Sequence, residues 1–196
     1  MLKFAEEFQK YVLISGFREV KISDPERFLR FIAAEKGSGL EIQIFDAEGI
    51  ATWQHLYFAV LDALVAFENS ANISRSLMME VMLYASAQRQ IRKATEILGI
   101  KSASTKMAVV IVGQKAEELE PAVLMISNQT RAERDEEVLE LTGEKMAHIQ
   151  RIFEITSEEL RAVMKEDDVK KALVDLVIER MALLATGRSL RASSPS

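Results

Sequence analysis

The chain has 196 residues, of which 48% are hydrophobic and 28% charged, and its formal net charge at pH 7 is -5. This balance predicts one globular domain and argues against a protein whose whole surface coats nucleic acid. The absence of Cys excludes a disulfide framework, and no apolar run reaches the roughly 18 residues that a membrane span requires. Without a secretory signal pattern, we expect a cytoplasmic protein with no membrane segment.

The first elements of the chain alternate between helical and strand-like patterns. Residues 1–10 predict a short amphipathic helical segment, and residues 11–22 predict a strand that breaks at Gly16. A helix begins after Asp24, which can act as the N-cap, because Pro25 follows at the first helical position. Residues 40–46 alternate apolar and polar side chains, which is typical of a half-buried strand.

The helix predicted over residues 52–68 is apolar on two sides. One stripe runs through Trp53 and Leu56, and a second runs through Phe58 and Leu61. A helix with this pattern is either deeply buried or shared between the core and a partner.

A second helix, over residues 75–85, repeats this peculiarity and is rich in methionine. Met78, Met79 and Met82 lie within five residues of one another. Most methionine stripes at helical spacing pack inside a core, but unbranched methionine also suits an adaptable docking surface. A domain of this size is not expected to bury two such helices completely. The sequence therefore favours the interpretation that part of their apolar surface contacts a partner.

The next segment predicts a basic amphipathic helix over residues 88–98 that ends at Gly99. Ile91 and Leu98 are expected to face inward, and Arg89, Arg92 and Lys93 outward near the helix N-terminus. From residue 75 to residue 106 there are six basic and two acidic side chains, a local charge of +4. This asymmetry indicates either a solvated helix face or a small site for phosphates or an acidic partner.

The second half of the chain adds one buried strand and several helices. Residues 107–112 form a continuous apolar run that is typical of a central strand, and residues 138–141 predict a short strand. The last helix is expected over residues 168–185, followed by a disordered tail at 188–196. Together these elements predict a single α/β (α+β) domain over residues 1–187, with a small central mixed sheet of about four strands flanked by helices.

Catalytic and metal-binding patterns are missing from the sequence. His55 and His148 are far apart and lack metal-ligand spacing, and a structural role for His55 is favoured over a catalytic one. No phosphate-binding glycine fingerprint and no nucleophile–base pairing are found. We therefore expect a protein without enzymatic activity, cofactor or metal.

A distinctive combination of residues lies between Phe45 and Ile100. It comprises Asp46, Ala47, Ala51, Thr52, His55, Leu56, Ala59, Ser76, Glu80, Ala85, Ser86, Gln88, Arg89, Gln90, Ile91, Ala94 and Gly99. On these residues the chain resembles the kinase-binding accessory subunit of the KEOPS (EKC) complex, the PRPK-binding protein family, in its archaeal type. Archaeal members often have Gly at the position of Ala87 and Asn at the position of Arg75.

The resemblance implies a non-enzymatic subunit that docks on the amino-terminal lobe of a small atypical kinase/ATPase. The complex makes threonylcarbamoyladenosine in tRNA, and the archaeal type of this subunit is implied to bind the single-stranded 3′ CCA end. The kinase contacts are then expected at Met78, Met79, Met82 and Leu83, with Phe58 and Leu61 as second choices. The RNA contacts are expected at Arg75, Ser86, Gln88, Arg89, Gln90, Arg92 and Lys93.

Two alternatives stay open at this point. The chain could be a protein-docking adaptor that regulates the kinase without contacting RNA, its basic stripe being merely solvated. It could also be an uncharacterised α/β enzyme, a reading that the missing catalytic set weakens. Whether the free chain self-associates through the same apolar helices is undetermined by the sequence.

Overall fold

Five strands form the sheet at the centre of the computed structural model, which describes residues 1–185. The predicted tail at 188–196 lies outside the described residues. The strands are β1 (Leu2–Ala5), β2 (Lys10–Arg18), β3 (Glu41–Asp46), β4 (Met107–Gly113) and β5 (Glu133–Arg134). Their order is β1-β2-β4-β3, and β5 pairs with the end of β2. Helices and a central sheet in one architecture confirm the predicted α/β (α+β) class. Every strand pairing in this part of the chain is antiparallel, so the expectation of a mixed sheet is wrong.

The central position of β4 follows from its sequence. All seven of its residues are buried, and it pairs with β2 on one side and β3 on the other. A strand covered on both faces needs an uninterrupted apolar run rather than an alternating one. The run at residues 107–112 supplies this, and its prediction as a central strand is confirmed.

Eight α-helices in the described range cover both faces of the sheet. They are α1 (Pro25–Glu35), α2 (Trp53–Glu68), α3 (Leu77–Ala85), α4 (Ile91–Leu98), α5 (Leu119–Thr130), α6 (Gly143–Ile152), α7 (Ser157–Val163) and α8 (Val169–Ala185). Val12 and Ile14 of β2 pack in the cluster that contains α2 and α3, while Leu13 and Phe17 pack in the cluster that contains α1 and α5. This alternation follows from the two-residue period of a strand.

A third apolar cluster joins α6, α7 and α8. Ile149, Leu160 and Leu173 are among its buried members, one from each helix. The N-terminus of α7 is closed by a capping box, in which Thr156 and Glu159 each accept the other's backbone N–H. These helices are positioned beside the end of α3, where they contribute to the site described below.

Two local predictions are wrong because tertiary contacts override local pattern. Residues 1–10 contain the edge strand β1 and a short 3₁₀ turn (Glu6–Phe8) instead of a helical lead-in, since β2 offers an open edge for pairing. The strand expected at residues 138–141 is instead a 3₁₀ turn, Glu136–Leu139. The carboxylate of Glu136 accepts from the Ser15 hydroxyl at 2.8 Å and from the Gly16 N–H at 3.1 Å, which anchors this turn on β2.

Gly16 does not break β2, contrary to the sequence expectation. The strand runs through it, paired with Ala108 of β4. A Cβ atom on Gly16 would lie 2.4 Å from a methyl carbon of Val138 and 2.5 Å from the Asp135 carbonyl oxygen. The glycine is therefore required for the close approach of the 3₁₀ turn rather than for a bend.

Candidate functional site

The turn between α3 and α4 is a Schellman motif that presents a short polar segment. The N–H of Gln88 donates to the carbonyl of Leu83 at 3.0 Å, and the N–H of Ala87 donates to that of Tyr84 at 2.8 Å. Ala87 takes the left-handed conformation, with φ at 52°. These are the two hydrogen bonds and the left-handed residue that define this helix end, at a position where glycine is preferred. Ala87 therefore adopts this conformation with a Cβ atom that glycine would not carry.

His55, in the first turn of α2, binds the backbone at the end of α3, directly before the α3–α4 turn. Its Nδ1 accepts from the Ala51 N–H at 3.2 Å, so Nε2 carries the proton and donates to the Ala85 carbonyl at 2.7 Å. Burial lowers the pKa of His55 to about 4, which keeps the ring neutral near pH 7. Its ring also meets that of Phe153 edge-on, with centroids 5.5 Å apart. The structural interpretation of His55 therefore fits its surroundings.

A cleft of about 640 Å³ lies beside the turn. The α3–α4 segment contributes polar and basic side chains, from Gln88, Arg89, Gln90 and Lys93. The end of α6, the segment that follows it and α8 contribute further residues, among them Ile152, Phe153, Arg180 and Leu184. The cleft thus combines hydrogen-bonding and cationic groups with apolar surface, and Glu154 and Glu159 add two acidic groups to its lining.

The charges in the cleft are only partly compensated. Arg180 pairs with Glu159, and the hydrogen bonds from the Thr156 backbone and from Arg180 lower the pKa of Glu159. Arg89 donates to the Leu184 carbonyl at 3.3 Å, which leaves its other N–H groups available. Lys93 is exposed and has no hydrogen bond or ion pair within residues 1–185. Arg89 and Lys93 are therefore the two cations that can meet an anionic ligand.

The structure brings five of the seven predicted RNA residues to this cleft. They are Ser86, Gln88, Arg89, Gln90 and Lys93. Ser86 is buried, and its hydroxyl donates to the Leu83 carbonyl at 3.1 Å, so its hydrogen belongs to the helix end rather than to a ligand.

The other two predicted RNA residues lie elsewhere. Arg92 is not part of the cleft lining, and its guanidinium pairs with Glu96 one turn later in α4 at 2.8 Å. Arg75 precedes α3, so a helix length of roughly 14 Å separates it from the α3–α4 turn. Ile91, expected to face inward, is 48% exposed, whereas Leu98 is buried as expected. The buried side of α4 is therefore narrower than its sequence pattern indicates.

Three of the predicted kinase contacts lie in the core. Met78, Met82 and Leu83 are each at most 4% exposed. The physical reason is the position of α3, which packs against α2, α4, α8 and β3 and is buried at seven of its nine residues. In this conformation these side chains stabilise the fold and cannot contact a partner, which corrects their placement on a docking surface.

The remaining three predicted contacts keep some exposure, and two of them lie on α2. Phe58 is 41% exposed, Leu61 is half-buried, and Met79 of α3 is half-buried. Phe58 and Leu61 share a helical stripe with Asp62 and Val65, and Val65 is 43% exposed. We call these four residues the outer α2 face. Asp62 was missed in the sequence, although its position four residues after Phe58 places it on the same stripe.

Comparison with known proteins gives the family. The family model for the kinase-binding protein CGI-121 matches residues 17–185. The chain belongs to this family. The match spans the cleft and the outer α2 face, and it confirms the resemblance on which the sequence interpretation drew.

One relative of the CGI-121 family shares substantial identity with the chain. It is the regulatory protein Cgi121 of Methanocaldococcus jannaschii, which is 32% identical over 117 residues. The aligned segment covers 60% of this chain and 72% of the relative.

Residues 1–185 contain neither a cluster of metal-ligating side chains nor a helix suited to span a membrane. Within this range, no group of three or more His, Asp or Glu side chains is arranged to hold a metal ion. In the same range, no helix has the length and apolar character needed to cross a lipid bilayer.

Proposed function

We propose that the chain is a non-catalytic, kinase-binding regulatory subunit of a KEOPS-type complex that also binds the 3′ CCA end of tRNA. The kinase part is supported by the family, which is named a kinase-binding protein family, and by the relative, which is named a regulatory protein. The observation that carries the RNA part is the gathering of Gln88, Arg89, Gln90 and Lys93 around one cleft. In this proposal, tRNA threonylcarbamoyladenosine modification is the process that the subunit serves.

The chemistry of the cleft suits an unpaired RNA end. Arg89 and Lys93 provide cations for phosphates, and the amides of Gln88 and Gln90 can donate to or accept from base edges. Ile152 and Leu184 provide apolar surface against which an unstacked base can lie. Because the bases of a double helix stay stacked and their Watson–Crick edges are paired, a cleft of this composition suits a single-stranded end.

The kinase is proposed to dock on the outer α2 face, with Met79 as a further contact. Phe58 and Val65 are large apolar side chains that are left exposed in the free chain. A few well-packed aromatic and aliphatic side chains usually dominate the energy of an interface. The outer α2 face is distinct from the cleft lining, so the kinase and the RNA can be tested independently.

The experiment for the RNA part compares binding to intact tRNA and to the same tRNA without its CCA end. The variant is Lys93→Glu, and the matched control is Arg92→Glu, a charge reversal on the same helix outside the cleft lining. We expect weaker binding on trimming and with Lys93→Glu, a smaller effect of Arg92→Glu, and a steep loss of affinity with salt.

Equal binding to both tRNAs, or equal effects of the two reversals, would refute the proposed RNA site. The adaptor that regulates the kinase without contacting RNA would then be the better description.

A further inference from the structure

Asp62 is an unpaired carboxylate within an apolar stripe. On α2 it lies one turn after Phe58 and one turn before Val65, with Leu61 beside it. The residue is half-buried, and its carboxylate makes no hydrogen bond or ion pair within residues 1–185. Other carboxylates drawn into the fold are satisfied: Glu80 accepts from the backbone N–H groups of Ile73 and Ser74, and Glu136 accepts from Ser15 and Gly16.

The negative charge of Asp62 does not stabilise the fold of the free chain. Burial raises the pKa of Asp62 to about 6, so solvation is already impaired before any partner binds. Across the helix pair, burial raises the pKa of the Tyr84 phenol on α3, and the negative charges of Glu80 and Asp62 raise it further. This neighbour therefore offers Asp62 no positive charge. A carboxylate in this position is therefore tolerated by the fold rather than required by it.

Covering the outer α2 face with apolar surface alone would remove the remaining water from Asp62. That would leave an uncompensated buried charge, which is strongly unfavourable. A cation delivered to the same place would form a charge-assisted pair in a medium of lowered dielectric constant.

We infer that the kinase segment that covers the outer α2 face presents a Lys or Arg side chain, framed by apolar residues, that pairs with Asp62. The inference rests on the docking of the kinase at this face that is proposed above. It adds the chemistry of the partner: an apolar patch with one cation at its centre, and not a uniformly apolar or acidic patch.

A second copy of this chain fits the face less well. A two-fold contact through the outer α2 face would repeat the same patch on both sides and bring two copies of Asp62 together. Like charges placed opposite each other in an interface are repulsive. The kinase, whose surface is not constrained to repeat this patch, avoids this conflict.

The direction in which Asp62→Asn changes the affinity for the kinase distinguishes a paired cation from a purely apolar contact. Asp62→Asn keeps the shape and removes the charge. If a cation pairs with Asp62, the variant leaves that cation buried without a partner, and binding becomes weaker by about 10- to 100-fold. If the partner is purely apolar there, the variant removes a desolvation cost, and binding becomes equal or tighter.

The experiment is calorimetric titration of the full chain with the purified small atypical kinase subunit of the same organism. The variants are Asp62→Asn and Asp62→Lys, and the control is Glu35→Gln, which removes an exposed carboxylate from α1 on the other face of the sheet. We expect weaker binding with Asp62→Asn, no detectable binding with Asp62→Lys, and unchanged binding with Glu35→Gln.

Each contrary outcome has its own meaning. Wild-type chain that does not bind the kinase would refute the kinase docking proposal and the inference with it. Wild-type binding that Asp62→Asn leaves equal or tightens would refute the inference alone. Self-association of the free chain that increases with Asp62→Asn, measured by sedimentation, would assign the face to a second copy and also overturn it.

Discussion

The imidazole of His55 donates to the backbone carbonyl of Ala85 at 2.7 Å, which ties the first turn of α2 to the last residue of α3. Ser86, Ala87 and Gln88 follow directly, so the polar turn beside the cleft starts from an atom that His55 holds. The other ring nitrogen accepts from the Ala51 N–H, and no water-exposed position remains for a second proton. The protonation of this one ring therefore bears on the stability of the turn.

Stability is expected to fall with acid because of His55. Its pKa is about 4 in the folded chain and near 6.5 when exposed, so the unfolded chain binds the proton more tightly between these values. The stabilisation is complete above pH 6.5 and is lost as the pH falls toward 4. Between pH 7.5 and pH 5, we expect a loss of about 2 kcal/mol in the free energy of unfolding.

Urea unfolding of the wild type and of His55→Gln at both pH values measures this loss. The difference between the two chains isolates the imidazole, because every other titrating group is common to both. A wild type whose stability changes with pH as that of His55→Gln does would contradict the prediction.

Asp62→Asn is expected to stabilise the free chain at neutral pH. The pKa of Asp62 is about 6 in the folded chain and about 3.8 when exposed, so the folded state holds the proton more tightly. Its contribution is therefore most favourable below pH 3.8 and is lost as the pH rises through 6. We expect a gain of about 1 to 2 kcal/mol at pH 7.5, less than the full shift because part of the carboxylate remains in water.

The same urea experiment near pH 4 provides the control for Asp62→Asn. There the folded wild type already carries a neutral carboxyl group, so the gain should largely disappear. A gain of equal size at both pH values would show that packing, and not charge, is responsible.

Ala87→Gly is expected to stabilise the α3–α4 turn. Ala87 has φ at 52°, a left-handed conformation that costs a residue with a Cβ about 1 kcal/mol relative to glycine. Part of that gain is offset by the greater freedom of glycine in the unfolded chain, so we expect about 0.5 kcal/mol of net stabilisation. The measurement is the midpoint of thermal or urea unfolding.

Ala85→Gly serves as the matched control, two residues away. Ala85 lies within α3 and is buried, so glycine there should destabilise by about 1 kcal/mol through lost helix propensity and packing. If both substitutions destabilised the chain, the left-handed conformation at Ala87 would not be the controlling factor.

Phe58→Glu is expected to abolish binding to the kinase subunit while leaving the fold intact. Phe58 is 41% exposed on the outer α2 face, so the fold loses little when the ring is replaced, whereas an apolar interface cannot accept a second carboxylate. The matched control is Leu124→Glu, since Leu124 is 61% exposed on α5 on the other face of the sheet. Calorimetric titration with the kinase measures both, and equal loss of binding in the two variants would argue against this face.

Some features of the fold are predicted correctly by local sequence pattern alone. The apolar run at residues 107–112 specified a central strand because only a position covered on both faces accepts it. Asp24 was expected as an N-cap, and its carboxylate indeed accepts from the Arg27 N–H at 2.9 Å. Such signals are local, and neighbouring residues alone decide them.

The methionine-rich helix shows where that reasoning fails. Met79 and Met82 are the same residue type and lie three positions apart on α3, yet Met82 is buried and Met79 remains partly exposed. Which side of an apolar helix meets solvent depends on the elements packed around it, here α2, α4 and α8. No pattern within residues 75–85 carries that information.

The sequence by itself determined the α/β class, the helix and strand positions with strong periodicity, and the family, because each depends on local pattern or on a combination of residues along the chain. Only the tertiary structure decided which predicted residues lie together. It joined Gln88 and Lys93 to Ile152 and Leu184 in one cleft, and it left Asp62 unpaired on the outer α2 face. The physical reason is that burial and proximity arise from packing between elements far apart in the chain, which a one-dimensional pattern does not encode.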